Sequence, residues 1–96
     1  MSNPSASDKS RYAKLIDLGC IACAKRGRYT EPTIHHIRDG SAYKDNQKTI
    51  PLCTRHHMYQ HAVNGVVNRE KNPAEFRIMF GSDAELLAEV NKLIRE

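Results

Sequence analysis

The sequence predicts a small α+β domain that is stabilised by zinc. Two pairs of metal-binding residue types, Cys20-x-x-Cys23 and Cys53-x-x-His56, lie about thirty residues apart. Two short segments with strand-like composition, "TIHHIR" and "TIPL", lie between them on either side of a polar turn. Helical patterns flank this central part on both sides. One α+β unit with flanking N-terminal and C-terminal helices accounts for all three observations.

The size of the chain limits how large its hydrophobic core can be. A domain of 96 residues buries about 60 to 65% of the surface that its unfolded chain exposes. Hydrophobic residues make up 40% of the sequence, with no tryptophan, two phenylalanines and four tyrosines. The core is therefore marginal, and a bound metal is an expected source of additional stability.

The composition indicates the compartment and the kind of partner of the protein. Three cysteines cannot all pair, and the CxxC spacing is more typical of a metal site, so we expect reduced thiols. No signal-peptide core or eighteen-residue apolar run is present, which predicts a soluble cytoplasmic protein. The net charge is +4, and residues 1–60 hold ten Lys/Arg against five Asp/Glu. A basic surface beside a metal site favours nucleic acid as a partner.

The N-terminal part is predicted to contain a tip and one helix. Residues 1–7 are small and polar, and we expect them to be disordered. Residues 8–96 are expected to form a single domain. Its first helix is predicted to start with Ser7 or Asp8 as N-cap and to stop at Gly19 in a left-handed conformation.

The rest of the domain is predicted as a zinc knuckle with a hairpin and a helix over residues 20–64, followed by helices over residues 72–95. The helix after the hairpin is expected to run over residues 54–63, which contain no Gly or Pro. Capping-box sequences start both C-terminal helices, and Phe76, Met79 and Phe80 are expected on one side of the first. The apolar stripe over residues 86–94 is predicted to pack on the core, with a dimer face or a docking site for a recombination protein as the alternatives.

The two Cys/His pairs form a complete ligand set for a structural zinc ion. Zinc prefers four nitrogen or sulfur ligands in a tetrahedron, and Cys20, Cys23, Cys53 and His56 provide them without leaving a position for water. The alternative is that the cysteines are small buried hydrophobic residues and His56 is a surface histidine.

Four histidines remain and are arranged for a second site. On a helix, His57 and His61 are four positions apart and share a face, while His56 points about 100° away from His57. On a strand, neighbouring residues face opposite sides, so if His35 turns toward the helix, His36 is free for another task. A histidine near a divalent ion is suited to removing a proton from water. The alternative for each is an ordinary surface or core histidine.

These residues resemble a known motif. "HHI" at positions 35–37, Asn46 and "PLCTRHHMYQH" at positions 51–61 resemble the HNH, or ββα-metal (His-Me finger), endonuclease motif with its commonly fused zinc knuckle. The stretch from "HHIRDG" to "FGSDAELLAEV" is similar to phage recombination-enhancement nucleases of the Ref type, over roughly residues 20 to 94. The resemblance implies a zinc-stabilised ββα-metal domain encoded by a phage or prophage and working in a bacterial cell.

The resemblance also implies roles for individual residues. His35, His57 and His61 would hold a catalytic divalent metal, His36 would be the general base, and Asn46 would brace the hairpin. The implied activity is metal-dependent hydrolysis of DNA phosphodiester bonds by an endonuclease or nickase, with a link to recombination. The family commonly uses Mg²⁺, whereas a histidine-only ligand set favours Mn²⁺, Ni²⁺ or Zn²⁺.

Two other interpretations are open at this point. The chain could be a zinc-stabilised DNA-binding or partner-recruiting module with the HNH fold but no independent nuclease activity, or a purely structural two-metal domain. The enzyme interpretation is favoured because every position that the chemistry requires is filled. Expected partners are DNA and a recombinase filament; a second copy of the chain is a partner only in the alternative in which the stripe over residues 86–94 is a dimer face.

Basic residues around the knuckle and hairpin are candidates for phosphate contacts that position DNA without reading its sequence. These candidates are Lys25, Arg26, Arg28, Lys44, Lys48 and Arg55. Arg38 follows the histidine pair and is the candidate for a positive charge beside the scissile phosphate. The alternative for the others is a solvated surface. No base-reading helix is recognisable, so weak sequence preference is expected.

Overall fold

A computed structural model describes residues 5–37 and 46–95 of the chain. Within these ranges two helices precede a two-stranded antiparallel sheet and three helices follow it, which confirms the predicted α+β class. The elements are α1 (Ala6–Leu18), α2 (Ile21–Ala24), β1 (Thr33–His36), β2 (Thr49–Leu52), α3 (Thr54–His57), a 3-10 turn (Tyr59–His61), α4 (Pro73–Phe80) and α5 (Asp83–Ile94). None of the helices in these ranges has the length and apolar character needed to cross a membrane.

Helix α1 starts earlier than the sequence predicted. Its N-cap is Ser5, whose hydroxyl accepts a hydrogen bond from Asp8 N at 3.1 Å, while Asp8 Oδ2 accepts one from Ser5 N at 3.1 Å. The prediction of Ser7 or Asp8 as the cap was wrong, because Asp8 occupies the inner position of this capping box. Residues 5–7 of the predicted tip belong to the start of the helix, and residues 1–4 lie outside the described residues.

Gly19 ends α1 as predicted, with a φ of 79° that favours glycine. A Cβ atom at this position would lie 2.7 Å from the Tyr29 ring, so the close approach also requires glycine. The Tyr29 hydroxyl donates to Ile16 O at 2.7 Å and holds the chain against the helix. Cys20, the next residue after this turn, is buried in the interior.

Strands β1 and β2 form the predicted hairpin, with His35 opposite Ile50 and His36 opposite Thr49. All four residues of β2 are buried, whereas only His35 is buried in β1. Helices α1, α2 and α5 all contact β2. Strand β2 is therefore the centre of the domain, and β1 presents the histidine pair at the edge.

The helix after β2 is shorter than the sequence predicted. Helix α3 has one turn, because Met58 is extended at φ −94° and ψ 126°, and Tyr59–His61 forms a separate 3-10 turn. The prediction of one helix over residues 54–63 was therefore wrong in its second half. The side chain of Asn68 donates to the backbone oxygens of Arg55 and Met58 at 2.8 Å each, and this bonding competes with continuation of the helix.

The two C-terminal helices form where they were predicted, and α5 starts with the predicted capping box at Ser82. The capping box predicted at the start of α4 was wrong: Asn72 makes no side-chain cap hydrogen bond, and its Oδ1 accepts from Asn68 N at 3.4 Å. Phe76 and Phe80 of α4 are buried, whereas Met79 is 50% exposed. Met79 lies about 60° from Phe76 and about 100° from Phe80 around the helix axis, so it occupies the half-exposed edge of the side that the phenylalanines bury.

The core is formed by apolar side chains from α1, α2, β2, α4 and α5. Its large buried members include Leu15, Ile21, Ile50, Leu52, Phe76, Leu86 and Val90. Leu86 and Val90 are 0% exposed, so this part of the α5 stripe packs on the core as predicted. Leu93 near the end of the stripe is 56% exposed.

A buried arginine connects three of these elements. Arg11 on α1 is 8% exposed, and its guanidinium donates to Thr49 Oγ1 on β2 at 2.9 Å and to Thr49 O at 2.5 Å. A further bond runs to Asn91 Oδ1 on α5 at 2.7 Å. The planar fork of the guanidinium suits such simultaneous bonds, so one side chain fixes α1 and α5 against β2.

Replacing Arg11 is expected to destabilise the fold strongly. Arg11→Ala removes the bonds to Thr49 and Asn91 and leaves buried acceptors unpaired, so we expect the free energy of unfolding to fall by about 2 to 4 kcal/mol. Urea denaturation measures this loss. Lys9→Ala, at an exposed position of the same helix, is the matched control and is expected to change stability little. Equal effects of both substitutions would contradict the connecting role of Arg11.

Candidate metal centres and active site

Four side chains with sulfur or imidazole donors converge at the starts of α2 and α3. The ligand atoms of Cys20, Cys23, Cys53 and His56 all lie within 4.8 Å of one another. Cys20 and Cys53 each precede a one-turn helix, which brings the third following residue back toward it. The structure thus brings the predicted ligand set together as one cluster.

The distances within this cluster fit a tetrahedral zinc ion. His56 Nδ1 lies 3.6 Å from Cys20 Sγ and from Cys23 Sγ, and 3.2 Å from Cys53 Sγ. The sulfur atoms of Cys23 and Cys53 are 4.0 Å apart. With zinc–ligand bonds of about 2.0 to 2.3 Å, tetrahedral geometry separates sulfur from nitrogen by about 3.6 Å and two sulfurs by about 3.8 Å. All three cysteines are free, so the cluster could hold zinc.

The surroundings of the cluster also suit a metal. Burial, followed by the charges of Arg26 and Arg55, lowers the pKa of His56, which favours the neutral imidazole that binds metals. Burial raises the pKa of the Cys20 thiol to about 12. Such a thiol ionises when a cation replaces its proton, so zinc binding to the cluster would release protons.

A second cluster, composed of His35, His57 and Glu70, has ligand atoms within 4.8 Å of one another. The Thr33 hydroxyl donates to Leu52 O at 2.6 Å and therefore accepts from His57 Nδ1 at 2.7 Å. The proton of the neutral His57 ring is then on Nδ1, and the Nε2 lone pair faces His35 Nδ1 at 3.2 Å. Burial, and then the charge of His35, lowers the pKa of His57 and favours this neutral form.

The other nitrogen of His35 faces a carboxylate. His35 Nε2 is buried without a hydrogen-bond partner in the described chain and lies 3.8 Å from Asp83 Oδ2. A cation on Nδ1 would place the ring proton on Nε2, toward Asp83, as is common for metal-bound histidines. Arg69 holds Asp83 through two bonds of 3.1 and 2.8 Å. The pKa of Asp83 is held well below its ordinary range by His35 and then by Arg69.

His61 does not join this second cluster in the described structure. The prediction required one continuous helix that places His57 and His61 on the same face, and the extended Met58 interrupts that helix. The His61 side chain is exposed in the 3-10 turn, and Glu70 takes the third place beside His35 and His57.

Asn68 brings Glu70 to the histidines. Its side chain is 0% exposed, and its Oδ1 accepts hydrogen bonds from Glu70 N at 2.9 Å and Lys71 N at 3.0 Å. Its Nδ2 donates to two backbone oxygens at the end of α3, as described above. A further backbone bond joins Arg69 N to His56 O at 2.6 Å. The loop that carries Glu70 is therefore attached directly to the helix that carries His57.

His36, the predicted general base, borders the same cleft as His35. A cavity of about 210 Å³ is lined by His35, His36, Arg69, Glu70 and Asp83. The predicted brace residue, Asn46, lies 3.0 Å from His36, measured from Asn46 Oδ1 to His36 Nε2. This cleft therefore combines a candidate cation cluster with an imidazole that is free of that cluster.

The predicted DNA-contact residues have different surroundings. Lys25 pairs with Glu89 on α5 at 2.7 Å, and the Arg26 guanidinium lies 5.6 Å from the centre of the Phe80 ring. These two residues thus attach the knuckle to the C-terminal helices. Arg28 and Arg55 are exposed, and Lys48 is partly buried. Arg38 and Lys44 lie outside the described residues.

Four residues of the second site were not anticipated from the sequence: Thr33, Asn68, Glu70 and Asp83. Glu70 follows Asn68 by two residues, and this spacing allows an Asx turn. That possible turn was the one local indication in the sequence that Asn68 orders the loop before α4. Asp83 follows a recognised N-cap, and nothing in that pattern indicates that its carboxylate faces a histidine 48 positions away. Long-range packing alone brings Asp83 to the site.

Removing zinc is expected to unfold the part of the chain around the first cluster, residues 20–60. A structural zinc ion contributes about 10 to 16 kcal/mol of apparent binding free energy, which is comparable to the total stability of about 5 to 15 kcal/mol of a typical domain. We expect about one tightly bound zinc per chain by elemental analysis, and loss of the thermal transition after chelation. An unchanged melt after confirmed zinc loss would contradict the structural role.

Replacing Asn68 is expected to loosen the loop that carries Glu70. Asn68→Ala leaves two backbone oxygens and two backbone amides without their partner, at an expected loss of about 2 to 4 kcal/mol in urea denaturation. Asn64→Ala, at an exposed asparagine of the preceding turn, is the matched control with little expected effect. A loss for Asn68→Ala no larger than for this control would disprove the role.

Comparison with known proteins extends these observations. A model of the family described as recombination enhancement, RecA-dependent nuclease matches residues 4–95. The match includes α1, which lies outside the stretch of about residues 20 to 94 over which the sequence resembles such nucleases. No match to a curated protein was found. Because the family model covers nearly the whole chain, the chain belongs to the recombination enhancement, RecA-dependent nuclease family.

Proposed function

We propose that the protein is a metal-dependent DNA endonuclease or nickase of the HNH, or ββα-metal, type, encoded by a phage or prophage and acting in recombination. The observation that carries the proposal is the cleft lined by His35, His36, Arg69, Glu70 and Asp83, in which a candidate cation cluster lies beside a separate imidazole. The family description supports a nuclease that works together with RecA.

The proposed catalytic cation is held by His35, His57 and Glu70. Thr33 fixes the lone pair of His57 toward the cluster, and Asp83 would accept a hydrogen bond from the protonated Nε2 of His35. This set replaces the three-histidine set expected from the sequence and adds one carboxylate oxygen. Two imidazoles and a carboxylate suit Mn²⁺, Ni²⁺ or Zn²⁺, and the carboxylate makes Mg²⁺ more suitable than with histidines alone.

His36 is proposed as the general base that removes a proton from the attacking water. The water oxygen then forms a bond to phosphorus while the bond to the leaving oxygen breaks. A cation held by His35, His57 and Glu70 would supply positive charge that stabilises the phosphate and the leaving oxygen. The guanidinium of Arg69 borders the cleft and is available to attract the phosphate backbone, although its first partner is Asp83.

Exposed basic residues are proposed to position the DNA. Arg28 and Arg55 contribute exposed positive charge near the zinc cluster. Arg38 and Lys44 remain candidates from the sequence. Contacts of this type neutralise phosphate without reading bases, so we propose binding that weakens steeply with salt and has little sequence preference.

Cleavage of a supercoiled plasmid tests this proposal. We expect nicking by the wild-type protein with Mg²⁺, Mn²⁺, Ni²⁺ or Zn²⁺, with and without a recombinase filament on the DNA. His36→Ala is expected to slow cleavage by about 10² to 10⁴ fold, the usual contribution of a general base. Glu70→Gln is expected to raise the metal concentration needed for cleavage. His61→Ala is the matched control and is expected to cleave like the wild type.

Three outcomes would overturn parts of the proposal. Equal cleavage by wild type and His36→Ala would remove the assigned base. A strong defect of His61→Ala with normal cleavage by Glu70→Gln would restore the three-histidine ligand set. Absence of cleavage by the wild type with every metal and with recombinase-coated DNA would favour a DNA-binding or partner-recruiting module.

A further inference from the structure

Asp8 on α1 lies at one end of a chain of hydrogen bonds that reaches His36. The Asn46 side chain lies between them: its Nδ2 donates to Asp8 Oδ2 at 3.2 Å, and its Oδ1 lies 3.0 Å from His36 Nε2. The chain connects the first turn of the N-terminal helix with the end of β1. It links Asp8, which does not line the cleft, to the proposed base.

The direction of every bond in this chain follows from the carboxylate. An ionised carboxylate can only accept hydrogen bonds, so the amide nitrogen of Asn46 must face Asp8. The amide oxygen of Asn46 then faces His36, and because it can only accept, His36 Nε2 must carry the proton. A neutral imidazole has one such proton, so His36 Nδ1 keeps its lone pair.

The carboxylate itself is held firmly in place. Gln47 Nε2 donates to Asp8 Oδ1 at 2.6 Å, and Ser5 N donates to Asp8 Oδ2 at 3.1 Å. Hydrogen bonds from Gln47, Ser5 and Asn46 lower the pKa of Asp8 to about 2, so the group is ionised at neutral pH. The capping box that starts α1 therefore also fixes the acceptor that orients Asn46.

We propose that Asp8 is a positioning residue that, through the side-chain amide of Asn46, holds His36 in the tautomer with Nδ1 unprotonated. This inference rests on the proposed function for its catalytic meaning, because Nδ1 is then the nitrogen that takes the proton from water. Asn46 thus acts as an oriented relay between α1 and His36, in addition to bracing the hairpin.

The competing explanation is that Asp8 only caps α1, so the test must separate the two roles. Asp8→Asn keeps the size of the side chain but supplies both a donor and an acceptor, so it no longer dictates which way the Asn46 amide faces. Ser5→Ala weakens the same cap from its other side and leaves the contact between Asp8 and Asn46. Ser5→Ala is therefore the matched control.

Nitrogen-15 NMR of the histidine rings in the full-length protein measures the tautomer directly. At pH about 8, above the ordinary histidine pKa of about 6.5, we expect wild-type His36 to show protonated Nε2 and unprotonated Nδ1. His36→Ala assigns the signal. Asp8→Asn and Asn46→Ala are expected to give a mixture of both tautomers, and Ser5→Ala is expected to retain the wild-type pattern.

The rate of plasmid nicking gives the second readout. We expect Asp8→Asn to lower the cleavage rate about tenfold without changing the DNA concentration at half-maximal rate, and Ser5→Ala to cleave like the wild type. A wild-type His36 with protonated Nδ1, or an unchanged tautomer in Asp8→Asn, would overturn the inference. The NMR result does not depend on cleavage, so loss of the proposed nuclease activity would be recognised separately.

Discussion

The segment from Cys53 to His57 is the constraint on which the rest of the structure depends. Cys53 and His56 complete the Cys3His cluster, and His57, one residue further, belongs to the second cluster. One step along a helix rotates a side chain by about 100°, so a single turn can serve two separate sites only if its orientation is fixed. Binding of zinc by Cys53 and His56 would fix that orientation. Thr33 holds the His57 ring, and the loop that contains Arg69 is bonded to His56 O.

Buried polar side chains connect the elements around the small hydrophobic core. Arg11 joins α1 and α5 to β2, and Asn68 joins the loop before α4 to α3. The Arg11 guanidinium donates three hydrogen bonds, and the Asn68 amide both donates and accepts. Each of these residues therefore satisfies several polar partners at once. A core of about a dozen apolar side chains becomes a specific arrangement because these polar connections fix how its elements approach each other.

The extent to which the sequence predicted the structure follows from the range of each interaction. The Cys3His cluster, the hairpin, Gly19 and the capping box of α5 were predictable, because each depends on residues within a few positions or on strongly patterned ligand spacing. The capping box predicted for α4 was wrong, because the Asn72 side chain accepts a hydrogen bond from Asn68 N instead. The end of α3 was not predictable from its own composition, since the bond donor that competes with it is Asn68, ten positions beyond Met58. The same break moved His61 away from the cluster.

The second site shows the same division. His35, His36 and His57 were candidates because they match the histidine positions of the HNH motif, and because neighbouring residues on a strand face opposite sides. Glu70 and Asp83 were not, because their approach to the histidines is set by tertiary packing of the loop and of α5. Asp8 was noticed as a possible cap, and its contact with Asn46 depends on how α1 lies across the hairpin.

The position of Asp83 has a consequence for the order in which the protein matures on the ribosome. Synthesis proceeds from the N-terminus, so all four zinc ligands and the hairpin have been made before α5, which carries the carboxylate that faces His35. A chain that extends only as far as the four zinc ligands and the hairpin still lacks Asp83, the partner of Arg69. The candidate metal site is therefore complete only when α5 has been added to the zinc ligands and the hairpin that support it.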